Sequence, residues 1–155
     1  MKKLLFIGIL AMTIASCSKD QKAVKEIEGL WKATSYTVSN GSQTVKVLES
    51  TGTSVSFDFT SCKLRKEESC PLSIIARDSL NVLIEDNKDI TLGYLGIEPD
   101  EELTYTMIED GTQMEILGDD GDEGKKLYTI KELEAGSLVL ENLANGLINT
   151  IEFRR

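Results

Sequence analysis

The side chains able to do chemistry in this chain are few, and their types narrow the choice quickly. There is no histidine among its 155 residues, so neither a Ser-His-Asp nor a Cys-His catalytic device can be assembled. Three cysteines stand at Cys17, Cys62 and Cys70. The last two flank Lys63-Leu64-Arg65-Lys66-Glu67-Glu68-Ser69, a stretch polar enough for an exposed turn. In an oxidising compartment the expectation for Cys62 and Cys70 is a disulfide, worth about 2–3 kcal/mol for a loop this short. Free thiols and a metal pair are the alternatives, and two cysteines without histidine make half a zinc site at best. Carboxylates are plentiful but fall mostly at turns, where solvation is their ordinary state. The run Asp119-Asp120-Gly121-Asp122-Glu123-Gly124 lacks the ligand spacing of a calcium loop. The residues therefore point away from an enzyme, with no catalytic set, no metal and no cofactor expected.

The amino terminus carries a sharper signal. Lys2 and Lys3 precede a short apolar run from Leu4 to Ile14, too short for a membrane-spanning helix but suited to a secretory signal. It ends in Ile14-Ala15-Ser16-Cys17, which resembles the lipobox of bacterial lipoproteins. An ordinary cleaved signal is the alternative reading of the same small residues. The resemblance implies cleavage after residue 16, a diacylglyceryl group on the Cys17 sulfur, and acylation of the new amine. One acyl chain holds a protein only marginally, at about 0.8 kcal/mol per buried methylene, whereas two or three anchor it durably. Ser18, rather than Asp, implies sorting to the outer membrane. Ser18-Lys19-Asp20 has a single acid, so the face of that membrane, periplasmic or cell surface, stays open.

Charge limits the partners. The chain has 17 basic and 26 acidic residues, net −9. Losing Lys2 and Lys3 with the signal takes it to about −11, and such a surface repels phosphate backbones, which excludes nucleic acid. The remaining ~140 residues suit one domain able to bury a real core.

The elements follow from periodicity. Residues 17–28 hold the lipidated Cys17, a tether over 18–22 and a short helical turn over Ala23–Glu28, stopped by Gly29. From there the period is two. Strands are expected over Trp31–Val38, Thr44–Leu48 and Ser54–Phe59, and a segment over Leu72–Ala76 follows the second cysteine. Further strands are expected over Leu80–Ile84, Ile90–Leu95, Leu103–Ile108, Gln113–Leu117, Lys126–Glu132, Ser137–Glu141 and Leu147–Arg154. The stretch from Leu72 to Ile84 also fits a helix. Asn40-Gly41, Asp110-Gly111, Ala135-Gly136 and Asn145-Gly146 are the turns between them. Strand after strand with tight turns predicts an all-β, antiparallel up-and-down meander closing into a barrel of 8–10 strands, because closure removes exposed edges.

Gly29-Leu30-Trp31, opening the first strand after a helical turn, resembles the G-x-W signature of lipocalins. Leu103-Thr104-Tyr105-Thr106, Met114-Glu115-Ile116, Leu127-Tyr128-Thr129-Ile130, Leu138-Val139-Leu140 and Ile151-Glu152-Phe153-Arg154 resemble the lipocalin-like lipoproteins of Bacteroidetes. Residues 29–155 would then form a lipocalin-like β-barrel domain. The family's second motif, T-D-Y, is absent. The resemblance implies a late basic residue over Trp31, a place for Arg154 or Arg155, with Arg154 assigned to the motif beside Gly29 and Trp31. Alternation places Trp31, Val55, Phe57, Phe59, Tyr105, Met107 and Phe153 inside, as core or as contacts for one small apolar ligand. Two functions follow. One is a carrier or sequestering protein for a small hydrophobic molecule. The other is a ligand-free module whose acidic face meets a protein partner at the envelope.

Overall fold

The computed structural model describes residues 19–60, 62, 69–78, 93–95, 102–118 and 124–155. The expected signal and Cys17 lie outside them. So do Leu80–Ile84 and the acidic loop 119–123.

Helix α1 (Lys19–Ile27) carries straight-chain Lys, Gln and Glu residues with Ala23, and has Asp20 in its first turn and Lys25 in its last, as the helix dipole favours. It begins at Lys19, so residues 19–22 are helical rather than the expected tether. Ala23, Val24 and Ile27 form its buried face. Gly29, at φ +114°, turns the chain out of the helix into β1 (Gly29–Ser39).

Next come β2 (Thr44–Lys46), α2 (Val47–Thr51), β3 (Thr53–Phe59), β4 (Cys70–Asp78) and β5 (Leu103–Ile108). After a 3-10 turn over Glu109–Gly111 the chain completes β6 (Gln113–Leu117), β7 (Lys126–Glu134), β8 (Ser137–Ala144) and β9 (Leu147–Arg154). Every pairing is antiparallel, and β1 also pairs with β9. Strands β1 and β3–β9 therefore close an eight-stranded barrel, with β2 attached to the far end of β1. This is the expected meander. Asn145-Gly146 makes the two-residue hairpin that its positive φ angles of +53° and +76° favour.

Two expected strands are corrected. The return strand ends at Lys46, because Val47 begins a helical turn that buries its side chain and lets Gly52 close it in the left-handed region. Residues 93–95, expected within a strand, are helical, with Leu95 buried and Tyr94 exposed.

Helix α1 packs at the end where β1 starts and β9 finishes. The other end, far from Cys17 along the chain, is where β1 turns into β2 and β8 into β9. The core runs the length of the barrel between them.

Candidate functional site

The barrel interior is the first place to look for function. All seven residues expected to face it do so: Trp31, Phe57, Phe59 and Tyr105 are fully buried, and Val55, Met107 and Phe153 nearly so. At the α1 end they pack as a solid cluster. Phe57 lies 4.8 Å from Phe153 and 6.0 Å from Phe59, centroid to centroid, and Tyr105 meets Phe59 edge-on at 5.1 Å. Each such pair contributes about 0.5–1.5 kcal/mol beyond its buried area. Trp31 donates its indole N–H to the Ile27 carbonyl at 2.6 Å, tying the strand to α1. This half of the interior is core.

The cation over Trp31 is Arg155, 4.3 Å from the ring centre, and not Arg154. Alternation decides this. Ile151 and Phe153 point inward on β9, so Arg154 points to solvent and Arg155 returns to the inner side.

The far half of the interior differs. Tyr36 donates its hydroxyl to Asn149 Oδ1 at 3.1 Å, inside the barrel. Tyr128, buried, and Tyr94, at the edge, lie close enough to act on Tyr36 electrostatically. Burial pushes the Tyr36 phenol well above its ordinary pKa, and Tyr128 and Tyr94 add to this. Burial alone raises Tyr128 in the same way. Tyr36 and Tyr128 therefore hold their protons at neutral pH and can donate hydrogen bonds. Simple alternation from Trp31 misses Tyr36 because a β-bulge between Ala33 and Ser35 shifts the phase of β1. Without that bulge Ser35 and Thr37 would face inward. The sequence carries no plain signal for it.

At the α1 end, Tyr105 is pushed up to about 12 by burial and then by the nearby Glu28 carboxylate. Its hydroxyl is buried with no hydrogen-bond partner among the described residues.

Cys62 and Cys70 are joined by a disulfide, with Cα atoms 5.3 Å apart. Cys70 is buried where β4 starts, beside Tyr105 of β5. Of the three readings open to this pair, the bridge is the one present. Among the described residues no group of three Cys, Asp or Glu side chains converges as a metal site.

No protein-family model matches the chain, and no curated protein matches it either.

Proposed function

We propose that the chain is a lipid-anchored outer-membrane lipoprotein whose lipocalin-like barrel binds or sequesters a small, largely apolar molecule outside the cytosol. The anchoring reading rests on residues 1–17: a basic start, a short apolar run and Ile14-Ala15-Ser16-Cys17. Helix α1 begins two positions after Cys17, which leaves almost no tether and favours a barrel held with its α1 end toward the lipid. The binding reading rests on one observation above the others. A closed barrel, already filled by its own aromatics at the α1 end, turns Tyr36, Tyr128 and Asn149 into an apolar interior at its far end. Buried polar groups set in an apolar wall are how small-molecule sites orient a ligand.

Titration with a fluorescent fatty acid tests this. Saturable uptake that an unlabelled competitor reverses is expected; uptake that only rises linearly with concentration rejects the carrier. The anchor is tested separately. Cys17→Ala should release the protein from membranes, and undiminished membrane retention contradicts the lipid.

The envelope interaction module is the second reading. It is favoured by Val45, Leu127, Leu143 and Ile148, which stand exposed on the outer wall. Capture of a saturable protein partner by a variant unable to take up fatty acid supports it over the first.

A further inference from the structure

The barrel wall is not continuous. Strands β7 and β8 are paired from Glu134–Ser137 up to Thr129–Glu141, and there the ladder stops. Beyond that point Lys126, Leu127 and Tyr128 pair only with β6, and Asn142, Leu143 and Ala144 only with β9. The two strands part over three residues each. Asn142 marks the parting, because its side-chain amide donates to the Leu127 carbonyl at 2.7 Å where the next ladder bond would fall. A cleft of about 500 Å³ occupies the opening, a volume in the range of small-molecule sites.

Its walls are apolar and its rim is charged. Leu127, Leu143, Ala144 and Ile148 line it, and Leu143 is 72% exposed, an unusual state for a leucine on a barrel wall. Lys126 also lines it, part-buried, with its ammonium donating to the Gly124 carbonyl at 3.0 Å. No carboxylate forms an ion pair with Lys126 among the described residues, whereas the rim's Lys125 pairs with Glu115 at 2.8 Å. Among the described residues that line it the one carboxylate is Glu141, 3.4 Å from Lys131. The cleft thus offers an ammonium without a carboxylate partner among the described residues, beside four apolar side chains, on a protein of net charge −9.

We propose that this cleft is the ligand site, and that its ligand is an amphipathic anion. The carboxylate or phosphate of the ligand meets Lys126, and its hydrocarbon chain lies over Leu127, Leu143, Ala144 and Ile148. The assignment rests on the carrier reading and moves the site from the interior around Tyr36, Tyr128 and Asn149 to the wall. An ammonium that has only a carbonyl to bond gains a charge-assisted partner when an anionic head arrives. The apolar chain covers side chains that water now covers. A neutral amphiphile would gain the second contact only.

The test uses the full chain as the cell makes it and a diazirine-bearing decanoic acid. After photolysis, label should map to Lys126, Leu127, Thr129, Leu143, Ala144 and Ile148, and excess decanoic acid should compete it away while decanol competes poorly. Lys126→Gln should weaken decanoic acid by about tenfold, and Lys126→Arg should restore it. Neither change should alter decanol. Lysophosphatidylglycerol as competitor separates the sources: competition by it as well assigns a membrane-derived anion, and competition by decanoic acid alone assigns a free acid. Saturable label on Tyr36, Tyr128 or Asn149 in the interior would overturn the cleft and leave the carrier reading standing. Equal competition by acid and alcohol would overturn the anion. Absence of saturable label anywhere would overturn both the cleft and the carrier.

Discussion

The Arg155 guanidinium lies 4.3 Å from the centre of the Trp31 ring and donates through Nη2 to the carbonyls of Glu26 and Glu28, at 2.7 and 2.6 Å. One side chain thus ties three things together: the last residue of the chain, the first aromatic of β1, and the C-terminal end of α1. Those carbonyls are among the groups a helix cannot satisfy internally, and a cation there also opposes the negative end of the helix dipole. Arg155→Ala should cost about 1–2 kcal/mol. Arg155→Lys should recover only part of it, because a point charge cannot stack on the ring and fork to two carbonyls together. Urea unfolding measures the loss. Amide exchange should show α1 opening before the barrel does. Equal stability of the Ala variant would mean the contact contributes nothing.

The disulfide gives a second prediction. Its cysteines are eight residues apart, so the bridge closes a short loop and should stabilise by about 2–3 kcal/mol in the chain-entropy model. Cys62→Ser together with Cys70→Ser should lower the urea midpoint accordingly, with the slope of the transition little changed. Thiol labelling of the denatured chain should rise by two groups on reduction. The same labelling with and without reductant would contradict the bridge.

Much of this fold was legible because it is local. Asn145-Gly146 accepts the positive φ angles its hairpin needs, and consecutive strands then pair with their neighbours. Phe57 and Phe59 followed from alternation within one straight strand. What alternation cannot carry is a change of phase. The bulge between Ala33 and Ser35 hid Tyr36, and the one-residue difference between Arg154 and Arg155 exchanged the two faces of β9. Val47 shows another limit. A β-branched residue after three strand residues reads as strand, yet burial against β1 and β3 draws it into a helical turn. The cleft is the least local feature of all. Nothing in Lys126–Tyr128 or Asn142–Ala144 taken alone says that their ladder ends, because an end to pairing is a property of two strands.

Gly111 should be intolerant of a side chain for two separable reasons. It holds φ +78°, and a Cβ there would stand 2.7 Å from the Ala23 Cβ and 3.2 Å from the Lys19 carbonyl oxygen. The β5–β6 turn and α1 therefore touch backbone to helix, with the exposed Lys19–Asp110 ion pair at 2.8 Å alongside. Gly111→Ala should cost about 1–3 kcal/mol and loosen α1, since neither neighbour is a flexible side-chain tip. Gly146→Ala is the control. Its φ is +76° with nothing within 4 Å of the added carbon, so it carries backbone strain alone, about 1 kcal/mol. Equal losses in the two variants would show that the approach of α1 to the turn does not matter.

Tyr105 makes the last prediction, because its buried hydroxyl has no partner among the described residues. Burial, with the Glu28 charge adding to it, raises its folded pKa from 10.0 to about 12. The folded state then keeps a proton that the unfolded chain has begun to release. Stability from this group is complete below pH ~10, declines as pH rises toward ~12, and is gone above it. Tyr36 and Tyr128 are shifted in the same direction and steepen the alkaline loss. Tyr105→Phe removes a desolvated hydroxyl without opening a cavity, so at neutral pH it should stabilise by about 1 kcal/mol. The variant should also lose less stability between pH ~10 and ~12 than the parent. Urea midpoints across that range, followed with phenolate absorbance, measure both effects. A destabilised Tyr105→Phe protein would mean that the hydroxyl has a partner after all, a bound water being the first to seek.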